Sequence, residues 1–153
     1  MQHVPHRRSG FTLIEIMIVV VILGILASTV LPQFSNSQGT AQETALVTSL
    51  NMLRSQIQLY KLQHNGANPS TDIVNQLTAK TNLDGTTTGT PVLGPYILSQ
   101  FPANPLNNNL RTVQTSGTAD GTSGWSYDPS TGIIKPGNAP SGTTPSGLTY
   151  GSL

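Results

Sequence analysis

The chain has 153 residues, of which 36% are hydrophobic and only 8% charged, with 15 glycines, 11 prolines and no cysteine. Seven basic against six acidic side chains leave it near neutral, so no basic surface for nucleic acid is expected, and without cysteine there is neither a disulfide nor thiol chemistry. His3, His6 and His64 lie apart, no serine sits in a nucleophile-elbow context and no phosphate-binding glycine loop occurs, so no catalytic constellation can be assembled and no enzyme is expected.

The N-terminus carries His3, His6, Arg7 and Arg8, then Ser9-Gly10, and Phe11-Thr12-Leu13-Ile14-Glu15 opens an apolar run that reaches Leu31. At ~1.5 Å per helical residue that run covers ~31 Å, about the hydrocarbon thickness of a bilayer. Glu15 is its one ionisable residue. An ionised side chain inside a span costs at least ~2.5 kcal/mol unless it is paired or near the interface, so Glu15 reads as functional. A secretory signal peptide cut near Ala27-Ser28 fits poorly, because the run exceeds the ~7–15 residues of an h-region and holds a glutamate. A plain anchor with Glu15 idle at the interface stays open. Arg7-Arg8 is poorly spaced for a twin-arginine signal and reads as an orientation signal instead.

The basic leader ending at Gly10, the Phe-Thr-Leu-Ile-Glu behind it and the unbroken apolar helix together resemble the type IV pilin superfamily and its class III signal peptide. The resemblance implies that prepilin peptidase cuts between Gly10 and Phe11 and methylates the new amine of Phe11. It also implies that Glu15 serves subunit assembly. Physical chemistry gives that role a reason of its own: the cationic amine at Phe11 and the Glu15 carboxylate are each costly in lipid, so the two have cause to pair between subunits.

Gly24 and Pro32 are the weakest points of a continuous helix, one by propensity and one by its missing hydrogen-bond donor. The resemblance implies that the helix loosens between them when packed in a filament. Beyond Pro32, Leu46, Leu50, Leu53, Ile57 and Tyr60 recur at steps of four and three, one apolar stripe on a helix that continues to about His64. Glu43, Arg54 and Lys61 are assigned to its polar face. The stripe is expected to pack on the chain's own small sheet, and His64, before Asn65-Gly66, to cap the helix.

From Gly66 onward Gly, Pro, Thr, Ser and Asn dominate. A short helix is expected over Ile73–Leu77, capped by Thr71 or Asp72. Thr81 to Pro95 reads as an exposed loop. Trp125–Asp128 and Gly132–Lys135 read as a hairpin around Pro129-Ser130-Thr131, with Trp125, Tyr127 and Ile133 packing on the helix stripe. The tail after Lys135 is rich enough in Pro and Gly to suggest partial disorder.

Gly94-Pro95-Tyr96-Ile97-Leu98 with Phe101-Pro102-Ala103-Asn104-Pro105-Leu106-Asn107 gives a second, narrower resemblance, to the major G-type pseudopilins of type II secretion. Asn104-Pro105-Leu106 stands where that family usually has Asp-Pro-Trp. Asp120 and Asp128 are weak calcium candidates: calcium takes six to eight oxygens, and turn chemistry accounts for both better. No other cofactor is expected.

These readings converge on an α+β, pilin-like chain: a leader over 1–10, a membrane and assembly helix over 11–32, its amphipathic continuation over 33–65, and a loop-rich domain with a small antiparallel sheet over 66–153. The resemblance implies a structural subunit of a type II secretion pseudopilus, anchored once in the inner membrane with its C-terminal domain in the periplasm. Its implied partners are prepilin peptidase, further copies of itself, the inner-membrane assembly platform, minor pseudopilins and the bilayer. A type IV pilus subunit and a membrane-tethered binding module that never polymerises are the alternatives.

Overall fold

The computed structural model describes residues 10–115 and 118–153, and for residues 31–36 the backbone alone. Helix α1 runs from Leu13 to Gln63, and α2 from Ile73 to Thr78. Strands β1 (Val113–Gln114), β2 (Trp125–Asp128) and β3 (Ile133–Pro136) follow, and a 3-10 turn at Tyr150–Ser152 closes the chain. Two compact units divide it at Gln38/Gly39.

In the first unit, residues 13–30 of α1 form a window long and apolar enough to cross a membrane, with none of it buried. The two hydroxyls at its end are turned inward: Ser28 donates to the Ile25 carbonyl at 2.8 Å and Thr29 to that of Leu26 at 2.9 Å. Such back-bonding satisfies a polar group where water is scarce.

The core of the second unit forms on the predicted stripe. Leu46, Leu50, Leu53, Ile57 and Tyr60 are all at most 2% exposed, packed with Ile73, Leu77, Trp125, Tyr127 and Ile134. Glu43 falls on the same face, one turn before Leu46, and is buried rather than on the polar face assigned to it. Helix α1 ends in a left-handed turn, Asn65 at φ 54° and Gly66 at φ 88°, with the Gly66 N–H on the Lys61 carbonyl. His64 does cap, its Nδ1 bonding the Tyr60 carbonyl at 2.8 Å, but it is also a core residue, stacked on Tyr60 and bonded through Nε2 to Thr81 Oγ1. Burial pushes the Tyr60 hydroxyl up to about 12.

At α2 the expected cap does not form. Asp72 holds the N-cap position at φ −94° and ψ 35°, outside the extended conformation that lets a cap reach back, and its carboxylate accepts the Asn75 amide instead. The loop from Thr81 to Pro95 is exposed over much of its length but is tied down at Thr81 and Gly85, both buried. Thr81 is buried and exchanges backbone hydrogen bonds with Leu93, while the Tyr96 and Ile97 N–H groups both bond the Leu77 carbonyl.

The sheet order is β1-β2-β3, with β2 and β3 antiparallel as expected and β1 joining β2 in parallel, so the sheet is mixed. Its register corrects one core assignment. Tyr127 faces Ile134 and Asp128 faces Ile133, and directly opposed residues share a face. Ile134 is therefore buried, and Ile133 stands 51% exposed.

The tail is folded, not disordered. Thr143 and Thr149 form a bridge, the Tyr150 N–H bonds the Gly142 carbonyl, and Tyr150 is buried in the core. One aromatic anchor and local turns order a segment whose Pro and Gly content suggested disorder.

Candidate functional site

Gly10 and Phe11 precede the helix and are exposed, Phe11 at 86%. Thr12 marks the helix start. Its Oγ1 accepts the Glu15 N–H at 3.3 Å, while Glu15 Oε2 accepts the Thr12 N–H at 2.8 Å and the Thr12 hydroxyl at 2.7 Å. This is a reciprocal capping box, which satisfies orphan N–H groups and puts a negative charge at the positive end of the helix dipole. Both bonds fall on Oε2, so Oε1 has no partner among the described residues. The carboxylate is thus held in place by its own chain while keeping one oxygen open.

Sequence reading singled out Glu15 but missed Thr12, although Thr-x-x-Glu before an apolar run is the capping-box signature. Gly24 lies within α1 with open space where a Cβ would stand. Pro32 lies within α1 too, among the residues described by backbone alone.

The calcium candidates are engaged otherwise. Asp120 Oδ1 accepts the Thr122 N–H at 2.9 Å and its hydroxyl at 2.7 Å. Asp128 Oδ1 accepts the Ser130 N–H and hydroxyl, and its Oδ2 the Thr131 hydroxyl. Asp84 does the same with Thr86. These bonds, the side-chain ones foremost for Asp120 and Asp128 and the backbone one for Asp84, hold all three carboxyls below the usual range. Among the described residues, no group of three or more His, Cys, Asp or Glu could hold a metal.

The second resembling stretch organises the domain. Tyr96 donates its hydroxyl to Gln63 Oε1 at 2.8 Å. Asn104 is fully buried, its amide donating to the Gly124 carbonyl and to Asn138 Oδ1, and its oxygen accepting the Leu106 N–H. Asn107 donates to the carbonyls of Gly121 and Ser123. Asn104 and Asn107 thus tie this loop to the one that leads into β2. Neutral amides do so by donating, which carboxylates cannot.

Residues 5–31 match the prokaryotic N-terminal methylation motif. The chain is similar to the type II secretion system core protein G of Aeromonas hydrophila, 44% identical over 59 residues, which cover 39% of this chain and 41% of that protein. It is also similar to that of Vibrio cholerae, 44% identical over 66 residues (43% and 44% of the two chains). For that of Pseudomonas aeruginosa, the identity is 48% over 65 residues (42% and 45%). The chain thus spans less than half the length of these curated relatives. No solved structure matches it. With the motif, the apolar helix and the capped glutamate together, the chain carries the prokaryotic N-terminal methylation motif and resembles the G-type pseudopilins of the type IV pilin superfamily.

Proposed function

We propose that this chain is a structural, non-enzymatic subunit of a type II secretion pseudopilus. One observation carries the reading: the methylation motif coincides with an apolar helix whose Glu15 is fixed by Thr12 and keeps Oε1 open. Prepilin peptidase cleaves between Gly10 and Phe11 and methylates the Phe11 amine. That amine on one subunit pairs with Glu15 of the next, which neutralises two charges otherwise costly in lipid and fixes the step at which helices stack. On packing, the helix loosens between Gly24 and Pro32. The subunit is anchored in the inner membrane with residues 66–153 in the periplasm, meets the assembly platform and minor pseudopilins there, and is extracted into a filament that drives protein export.

The test is intact mass spectrometry of protein from the host's membranes, paired with filament yield from Glu15→Ala. A chain that begins at Phe11 and carries one added methyl group is expected, with Glu15→Ala still inserted and cleaved but poorly assembled. A chain starting at Met1 or near Thr29, or normal filaments from Glu15→Ala, overturns the reading.

A further inference from the structure

The tail beyond β3 meets α1 at three successive points. Pro145 lies against Gly39, where a Cβ would come within 3.0 Å of the proline side chain. Ser146 meets Glu43, its N–H donating to Oε2 at 2.9 Å and its hydroxyl to Oε1 at 2.5 Å. At the far end Arg54 donates to the Leu153 carbonyl. From Gly39 to Arg54 the tail accompanies ~22 Å of helix, at 1.5 Å per residue. Most of its other backbone bonds are internal: Gly142 to Ala139, Thr144 to Leu148, Gly147 to Thr144 and Gly151 to Pro140. Such a segment is built by itself and attached elsewhere by a few contacts, the pattern of a unit that opens on its own.

We propose that residues 139–153 form a strap that closes on α1 through the Glu43 carboxylate and opens when that carboxylate is protonated. Glu43 is 9% exposed and offers one oxygen to each of two donors on the same residue, so it needs both oxygens as acceptors. Protonation removes the charge that strengthens both bonds and puts a proton on a carboxyl that now only accepts, so the Ser146 hydroxyl must turn round or let go. The groups that face Glu43 are the Thr144 and Ser146 hydroxyls and the Tyr150 phenol, none of them cationic. Arg54 on the same helix is committed to the Ile134 and Leu153 carbonyls, and Lys135 on β3 to that of Gly151. Ser146 holds the Glu43 carboxyl below its usual range, so the strap is closed above that range and opens as pH falls through the lowered value. An open strap withdraws Tyr150 from the core.

Amide hydrogen exchange on the full chain in detergent micelles tests this. At neutral pH, Glu43→Gln mimics protonation without altering exchange chemistry. It is expected to speed exchange of the bonded amides between Gly142 and Leu153 about tenfold or more, the loss of a hydrogen bond to a charged group, while Trp125 and Tyr127 amides keep their protection. Ser146→Ala removes the hydroxyl bond to Oε1 without touching α1 but keeps the N–H bond to Oε2, so it should act in the same direction, more weakly. Wild type at acid pH, corrected for intrinsic rates, should reproduce the Glu43→Gln pattern. Unchanged tail exchange in both variants overturns the latch. Tail and hairpin amides that always open together overturn the strap.

Discussion

Thr12 does for Glu15 what no other described residue does: it fixes the carboxylate and the helix start with the same three hydrogen bonds. A capping threonine is worth about 1 kcal/mol, and here its loss also frees the glutamate side chain to take other rotamers. Thr12→Ala is therefore expected to fray the first turn of α1. Amide exchange in micelles should quicken at Glu15 and Ile16, whose N–H groups bond the Thr12 side chain and carbonyl, and stay unchanged at Gly66, where the other end of the helix is held by its own turn. Equal exchange at the first turn in the variant would mean that lipid packing, not the capping box, sets where the helix begins. The same chemistry recurs beyond the membrane segment. Asp84-Gly85-Thr86, Asp120-Gly121-Thr122 and Asp128-Pro129-Ser130 each close a turn by the carboxylate of the first residue accepting the N–H and hydroxyl of the third. That spacing was visible in the sequence, and it identifies these aspartates as turn residues before any coordinate is seen.

At the scale of elements, the hairpin register is the sharpest structural statement. Ile134 lies fully buried opposite Tyr127, and its neighbour Ile133 stands half in solvent opposite Asp128. Ile134→Ala should cost about 2–5 kcal/mol and Ile133→Ala well under 1, read as a change in the urea midpoint of the domain. Similar costs for the two would mean that the register is slipped by one residue, which would exchange their faces. The stripe on α1 was legible because five apolar residues at steps of four and three leave little choice of face. The α2 position and the hairpin were legible from turn residues and alternation. Which isoleucine points inward was not, because a turn of four or five residues admits neighbouring registers. The parallel strand β1 was not legible either: Val113-Gln114 is too short for a period and is defined only by its partner. Glu43 escaped because charge was weighed ahead of phase. Its position one turn before Leu46 puts it on the core face, and its partner Ser146 is 103 residues away. The methylation motif that holds Gly10, Phe11 and Glu15 was legible as a local pattern, whereas the Asn104 and Asn107 ties join segments distant in sequence, which no local pattern reveals.

For the whole molecule, the charges form an unusual accounting. Glu15, Glu43, Asp72, Asp84, Asp120 and Asp128 all accept their hydrogen bonds from hydroxyls, side-chain amides or backbone N–H groups. Arg111 donates to the Phe101 carbonyl, Lys135 to that of Gly151, and Arg54 to the main-chain oxygens of Ile134 and Leu153. Stability that rests on such short-range bonds is little screened by salt, whereas surface ion pairs weaken as the Debye length shrinks from about 10 Å at 0.1 M to 3 Å at 1 M. The melting temperature of the domain should therefore be nearly flat across that salt range at neutral pH. Acid should act quite differently. The carboxyls of Glu43, Asp84, Asp120 and Asp128 are held below their usual range, so the folded state binds fewer protons than the unfolded one as pH falls. Their contribution is fully present above the unfolded values, near pH 4, and is lost as pH drops through the lowered folded ones. Thermal melts at fixed ionic strength should show a plateau above about pH 5 and a steep decline below about pH 4. A decline that begins near neutral pH, or one that high salt reproduces, would mean that ion pairs rather than capped carboxylates hold the domain together.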